Sequence, residues 1–306
     1  MQFAARTVGI VGASGFIGRV LVEQIRREGN ECPRLFGRSP GEVSGCKINA
    51  LEASREGFRG LDCVVHLSGI TTSRAPEAEL QRVNVELATD VAERAAGAGV
   101  KRMIFISSLH VHGKSASRPI SPDCPFNPDN AYGRSKAVAE VELGLIAERT
   151  GLELVLLRPP MVYGAVNKGS FGVLARLVGT GLPIPFGLAR GRRSFCSVGN
   201  LVSAIRHSVT VHSPAKVLIP ADPEDFDTPE LVRCMAAATG RPARLWSVPK
   251  QVLAAPLAAF GRSEMIISLF ESLQVDRSHW RTQVWRPVES GPDAVLAALR
   301  GESAGP

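Results

Sequence analysis

Along the first half of the chain, short runs that are apolar at every position alternate with longer stretches that are apolar at helical spacing. Thr7 to Gly12 is one such run. Phe16 to Glu28 follows, with Phe16, Ile17, Val20, Leu21 and Ile25 spaced to share one helix face. A second strand is expected near Cys32 to Phe36, and Asp62 to Leu67 has the pattern of a buried strand closed by Ser68-Gly69. A long helix is expected from about Pro76 to Ala98, with Gly99 as its stop. Lys101 to Ser107 carries the run Met103-Ile104-Phe105-Ile106, a further buried strand. Tyr132 to Arg149 reads as helix and Leu152 to Leu157 as strand, ended by Arg158-Pro159-Pro160.

Strands apolar on both faces and separated by helices predict a parallel sheet covered on both sides, a doubly wound α/β architecture. Its ligands are expected at the carboxyl ends of the strands. No internal repeat is found. Beyond Gly164 the pattern changes to shorter elements and to loops rich in glycine and proline, as over Gly179 to Gly191. That change predicts a smaller cap over the strand ends.

A length of 306 residues fits two domains or one large α/β unit. With 44% hydrophobic and 21% charged residues the composition is that of a globular protein, which excludes disorder. The six cysteines (Cys32, Cys46, Cys63, Cys124, Cys196, Cys234) are dispersed, without the paired spacing of a zinc site or a redox dithiol. They are expected to be reduced, the chain cytoplasmic, and no metal is expected. Met1 to Arg6 leads straight into a strand-like run, leaving no secretory core, and the apolar stretch Val252 to Phe260 is broken by Pro256. It is also far below the roughly 20 residues of a membrane span. The net charge of +7 fits a phosphate-bearing ligand or a solvated, arginine-rich surface. No helix-turn-helix, zinc-finger or aromatic RNA-binding pattern accompanies it, so nucleic acid is not an expected partner.

Gly12-Ala13-Ser14-Gly15-Phe16-Ile17-Gly18 lies between the first strand and the first helix. Glycines at this spacing suit a tight turn that brings backbone close to a pyrophosphate at a helix N-terminus. In that context the motif predicts a dinucleotide site. Leu35-Phe36-Gly37-Arg38-Ser39, at the end of the second strand, has no acid for a ribose 2′-hydroxyl. Arg38 therefore favours NADP(H), with NAD(H) possible if it is only a solvated loop charge.

Tyr132-Gly133-Arg134-Ser135-Lys136 puts a phenol and an ammonium four residues apart, on one helix face. Such a pair suits proton exchange with a hydroxyl, since a cation favours the phenolate of a group whose free pKa is near 10. Ser108 follows the strand run at Ile106-Ser107, where a doubly wound sheet holds its site. The chain has only two tyrosines, Tyr132 and Tyr163, so one at this position carries weight.

Together these segments resemble an extended short-chain dehydrogenase/reductase of the nucleotide-sugar epimerase/dehydratase type, over nearly the whole chain. The resemblance rests on Gly12 to Gly18, Val65-His66-Leu67-Ser68-Gly69, Val83-Asn84-Val85, Ile106 through Gly113, Tyr132 to Lys136, and Leu157 to Gly164. It implies a Rossmann sheet with a smaller C-terminal substrate-binding domain. The expected division is 1–165 for the dinucleotide and 166–306 for substrate, with about 195–212 returning to the first. It implies Tyr132 as acid/base, Lys136 on the nicotinamide ribose, Ser108 on the reacting oxygen, and Asn84 supporting the centre. The expected cofactor set is Gly12, Ser14, Gly15, Phe16, Ile17, Gly18, Arg38, Leu67, Ser68, Gly69, Lys136 and Pro159.

Dehydratases of this type carry an Asp-Glu pair after the strand-end serine or threonine. Here Leu109-His110-Val111-His112 offers no acid to expel a hydroxyl, so dehydration is rejected. His112 stands where tyrosine is common and is read as structural. The later half resembles enzymes acting on UDP-linked N-acetylated or deoxy sugars in polysaccharide synthesis. The stretches are 167–171, Pro183 to Gly187, Gly191 to Phe195 and Ser272 to Asp276. Ser170, Phe171 and Arg193, with Ser108, are the expected substrate contacts, Arg193 gripping the pyrophosphate. Ser170 departs from the usual asparagine, and Ala50 stands where many relatives place an adenine-contacting aspartate. Reduction of a 4-keto sugar by NADPH is the first expectation, with NAD-dependent 4-epimerisation of a UDP-hexose as the alternative. A non-catalytic dinucleotide sensor would have no need of Ser108, Tyr132 and Lys136. The resemblance also implies a homodimer, through the helices near 76–98 and 132–149.

Overall fold

The computed structural model describes residues 7–28, 32–51, 56–72, 74–165, 169–259, 264–282 and 284–302. The chain opens with β1 (Val8–Val11), α1 (Phe16–Arg27), β2 (Arg34–Gly37), β3 (Gly41–Val43), β4 (Cys46–Ala50) and β5 (Cys63–His66). After α2 (Glu77–Leu80), a π-helical turn (Gln81–Glu86) and α3 (Leu87–Gly97) come β6 (Arg102–Ile106), a 3-10 turn (Leu109–His112), α4 (Ala131–Thr150) and β7 (Glu153–Leu157). The remainder comprises β8 (Met161–Tyr163), α5 (Gly169–Gly179), β9 (Arg193–Ser197), α6 (Val198–Thr210), β10 (Val217–Leu218) and β11 (Asp225–Phe226). Five helices close it: α7 (Thr228–Thr239), α8 (Lys250–Ala259), α9 (Glu264–Phe270), α10 (His279–Thr282) and α11 (Gly291–Arg300).

β1, β5 and β6 are buried at every position, which is why their runs are continuously apolar rather than alternating, with the buried polar His66 and Arg102 only at the ends of β5 and β6. They form the middle of an eight-stranded sheet of order β3-β4-β2-β1-β5-β6-β7-β10. All neighbours are parallel except β3, which runs antiparallel to β4 at one edge. The chain builds outward from β1 on one side and then returns to β5 on the other. That reversal brings the Gly12 turn and Leu67-Ser68-Gly69 side by side at the carboxyl ends of β1 and β5, where a doubly wound sheet has its crevice.

Leu21 and Ile25 of α1 join Leu201, Val202 and Ile205 of α6 on one face of the sheet. Val91 and Ala92 of α3 join Ala139 and Leu143 of α4 on the other. Each such leucine or isoleucine contributes about 1.5–3 kcal/mol by leaving water. A second, three-stranded sheet (β11-β9-β8) carries a separate core in which Phe171, Phe195, Phe226, Met235 and Val295 meet.

The major strands and helices fall within a few residues of the sequence expectation. Three features were not expected. The β3–β4 edge hairpin alternates buried and exposed positions (Cys46 and Ile48 in, Lys47 and Asn49 out) and is short. The two-residue β10 extends the sheet at its other edge. The helix expected over 76–98 contains the π-turn, an insertion often found at functional sites, and it carries the buried Asn84.

Cys32 and Cys46 form a disulfide, with Cα atoms 5.7 Å apart. This corrects the expectation that all six cysteines are reduced. Their fourteen-residue separation matches no paired motif, and only the folding of β4 beside β2 brings them together. Cys124, Cys196 and Cys234 are free thiols, and Cys63 is a thiol buried in β5. Among the described residues no helix is long and apolar enough to cross a membrane, and no acidic, histidine or cysteine cluster suits a metal ion. Thiol titration of the unfolded protein is expected to count four free thiols before reduction and six after. Six before reduction would exclude the disulfide.

Candidate active site

The glycine turn is shaped by what its residues lack. Gly12 has φ +88°, and a Cβ there would meet the Ser68 hydroxyl at 2.7 Å and its amide nitrogen at 2.8 Å. Gly18 allows α1 to lie on the backbone of Ala13, which a Cβ would approach to 2.7 Å. Gly15 is the N-cap and offers no side-chain cap to α1, so the first amides of that helix point outward unpaired by a side chain. This arrangement fits a dinucleotide pyrophosphate, with Ser14, Phe16 and Ile17 in the same turn. Arg38 is exposed just beyond β2. Across the crevice, Leu67 donates its amide to the Val11 carbonyl (2.9 Å), which holds the Leu67-Ser68-Gly69 segment against β1.

Ser108, Tyr132 and Lys136 converge at the ends of β6 and α4. Ser108 caps the 3-10 turn by accepting from the His110 amide (3.2 Å). Burial raises the Tyr132 pKa, and the Ser108 hydroxyl, hydrogen-bonded to the phenol, opposes that rise. From spacing alone, Lys136 was expected to supply this help. In the structure the ammonium is engaged elsewhere, donating to the Ile106 carbonyl (2.8 Å) and lying 4.5 Å above the Phe105 ring. Burial lowers Lys136 to about 8, and the Glu140 carboxylate one turn along α4 works against that drop. A Cβ at Gly69 would stand 3.2 Å from Lys136 Nζ and 3.1 Å from Asn84 Oδ1, so glycine keeps an open slot beside both groups.

Asn84 does not reach into this slot to react; it builds the wall. Its amide exchanges hydrogen bonds with both backbone groups of Ile70 (2.8 and 3.0 Å) and donates to Ser135 Oγ (2.9 Å). Ser135 in turn donates to the Tyr132 carbonyl (2.8 Å), which fastens the π-turn to the first turn of α4. Asn130 caps that helix by accepting from the Gly133 amide (2.9 Å). A Cβ on Gly133 would fall 2.5 Å from the His110 carbonyl oxygen, so glycine lets α4 rest directly on the 3-10 turn.

Behind the trio lies a buried charge network that sequence reading missed. Arg158, at the end of β7, donates to both Glu140 oxygens (2.7 to 3.1 Å), and Ser107 donates to the same carboxylate. Arg158 also donates to the Pro122 carbonyl (3.0 Å) and faces His112 Nε2 (3.2 Å), while His112 Nδ1 meets the Pro125 carbonyl (3.0 Å). His112 is thus held between a loop and a guanidinium, in keeping with its structural reading. The available signal was the spacing: Glu140 follows Lys136 by four residues, on the same face. Pro159 is buried, and its carbonyl accepts from the Leu109 amide (2.9 Å), joining β7 to the 3-10 turn.

Arg193 projects from β9 and donates to the carbonyls of Lys114 (3.1 Å) and Glu271 (3.3 Å); burial lowers it to about 10. It acts electrostatically on His110, whose ring lies edge-on to Tyr132 at 6.0 Å and is lowered to about 4, chiefly by burial. The arginine and the phenol therefore border one region. Ser170 is exposed at the start of α5. Phe171 is stacked on Tyr163 (4.6 Å between ring centres) inside the C-terminal core, so its ring is a packing group there. Asn167 and Lys168 lie outside the described residues. Ser272 to Asp276 runs extended between Ala116–Ile120 and β9, and is a structural tie. The second tyrosine, Tyr163, donates to the buried Asp222 (2.8 Å), which leaves Tyr132 as the one at the crevice.

Residues 8–217 match the NAD dependent epimerase/dehydratase family. The chain is 31% identical to UDP-glucose 4-epimerase of Vibrio cholerae, over 93% of this chain and 92% of that protein. It is 26% identical to N-acetyl-alpha-D-glucosaminyl-diphospho-ditrans,octacis-undecaprenol 4-epimerase of Escherichia coli O157:H7, over 82% of this chain and 76% of that one. The fold is shared with UDP-N-acetylglucosamine 4-epimerase of Bacillus cereus (TM-score 0.79, 17% identity, 97% of this chain and 99% of the other). It is shared also with WbmG of Bordetella bronchiseptica, solved with NAD and UDP (TM-score 0.78, 21% identity, 97% and 93%). The chain belongs to the NAD-dependent epimerase/dehydratase family. It is an NAD(P)-dependent nucleotide-sugar enzyme of the extended short-chain dehydrogenase/reductase type.

His66, at the end of β5, stacks on Phe105 (5.7 Å) and is lowered to about 3 by burial and by the Lys136 cation. Folding thus favours its neutral form. Its contribution to stability is full above the ordinary value of 6.5 and is lost as pH falls toward 3. Each pH unit in that window is worth about 1.4 kcal/mol for one group. His110 and His112 act with the same sign. His66→Phe is expected to flatten, without abolishing, the fall in melting temperature between pH 6.5 and 4; an unchanged slope would acquit His66.

Proposed function

We propose that this chain is a 4-epimerase of a UDP-linked hexose that works with a retained NAD. The observation that carries the reading is the convergence of Ser108, Tyr132 and Lys136 beside the glycine turn, with Arg193 on the far side of His110. The full-length likeness to a UDP-glucose 4-epimerase supports it and reverses the order of the two readings from sequence. Keto-sugar reduction by NADPH rested on Arg38, an exposed side chain, and on the likeness to polysaccharide-pathway enzymes.

In this reading residues 1–165 hold the dinucleotide and 166–306 the sugar nucleotide, with 195–212 packed back on the first. The amides of Gly12 to Gly18 would hold the pyrophosphate of NAD, Arg38 and Lys136 would meet its riboses, and Leu67 to Gly69 and Pro159 would line its site. The chemistry that NAD supplies is reversible hydride acceptance at C4 of the hexose. Tyr132 takes the O4 proton and later returns it, and Ser108 holds O4 by hydrogen bonds. Lys136 keeps a positive charge beside the ribose hydroxyls. Arg193 holds the diphosphate, so that the ketose is free to turn and take the hydride back on its opposite face. Exposed Ser170, shorter than asparagine, leaves space near the sugar. The NAD-bound neighbour of the same fold supports the cofactor choice.

A homodimer belongs to the same proposal. Val138, Val141 and Leu145 form one ridge along α4, exposed by 42, 50 and 56%, beside α3. Val141→Glu is expected to convert a dimer to a monomer in size-exclusion chromatography with light scattering; a monomeric parent protein would refute the dimer. For the chemistry, protein as purified is expected to interconvert UDP-galactose and UDP-glucose with no added nucleotide. Tyr132→Phe should lose about 10²- to 10⁴-fold in turnover and still carry NAD by mass spectrometry. Net consumption of NADPH with a keto-sugar and no interconversion would favour the reductase instead.

A further inference from the structure

Lys136 and Glu140 occupy successive turns of α4 on one face, and both are buried. Around the ammonium stand Tyr132 on the same helix, the Ile106 carbonyl from β6, His66 from β5 and Asn84 from the π-turn. Among the described residues, Glu140 is the carboxylate that acts on it. The same carboxylate receives Ser107, next to Ser108, and the Arg158 guanidinium, with His112 on that guanidinium's outer side. One buried charge on α4 therefore touches the ends of β6 and β7, and β6 and α4 are the two elements that deliver the reactive trio.

We propose that Glu140 is a positioning residue that keeps Lys136 charged through the working pH range while locking Ser108 and Tyr132 in register. The inference rests on the acid/base reading of Tyr132 and Lys136 given above. A buried ammonium relinquishes its proton easily. A carboxylate one turn away retains it, and Arg158 with Ser107 makes that carboxylate tolerable in the interior. A purely structural ion pair has a different consequence, because breaking it from either end weakens the fold alike.

The test compares Glu140→Gln, Arg158→Met and Glu140→Asp through pH profiles of kcat/KM for UDP-galactose, with melting curves for each. Glu140→Gln is expected to move the alkaline limb about one pH unit lower. Arg158→Met is expected to melt lower as well, with its alkaline limb unmoved or higher, because the carboxylate remains. Glu140→Asp keeps the charge and retracts it, so the limb stays and only the rate falls; it serves also if the glutamine variant does not fold. Melting losses without any movement of the limb, or equal movement in the Gln and Met variants, would overturn the role. A shifted limb in Glu140→Asp would overturn it too. Tyr132→Phe is assayed alongside: full turnover there overturns the parent reading, whereas its loss with a static Glu140→Gln profile overturns the positioning role alone.

Discussion

Two backbone turns meet at the point where strand order reverses, and their closeness governs the rest of the site. Gly12 lets the end of β1 press on Ser68, and the Leu67 amide ties the second turn to β1. With any larger residue at Gly12 the crevice would have to open and its walls separate. The slot beside Gly69 follows from that contact, because the same segment continues to Ile70, where Asn84 secures it. The cofactor end and the reactive end are thus one mechanical unit.

Around this unit the protein places its polar groups with few left unsatisfied. Lys136 is held by a carbonyl and an aromatic face, Arg158 by a carboxylate and a carbonyl, and Asn84 by backbone on both of its sides. Each costs more to bury alone than it returns when paired. Their value lies in geometry: a rigid wall keeps Tyr132 within reach of Ser108. The π-turn is part of that economy, since it carries Asn84 at the level where Ile70 and Ser135 both meet it.

The electrostatic balance at the reactive end differs from simple pairing of phenol and ammonium. Burial disfavours the charged form of Tyr132 and of Lys136 alike, and each is supported by a different neighbour, Ser108 for the first and Glu140 for the second. His110 stays neutral between Tyr132 and Arg193. The reactive end therefore offers hydrogen-bond donors and the Lys136 ammonium, with the Arg193 guanidinium beyond His110, an arrangement that suits exchange of a hydroxyl proton.

Periodicity and spacing alone determined the parallel strands, the glycine turn and the Tyr132–Lys136 pair, because each arises from neighbours within a few residues. A strand buried on both faces reads as a continuous apolar run, and residues four apart on a helix share a face. The closing of Cys32 on Cys46, the seat of Glu140 between Ser107 and Arg158, and the placing of Phe171 in the core depended on contacts between segments far apart in the chain. So did the partners of Lys136 and Tyr132. Local pattern carries no record of which distant group fills the space beside a side chain, and that neighbour is what sets its charge, its burial and its role.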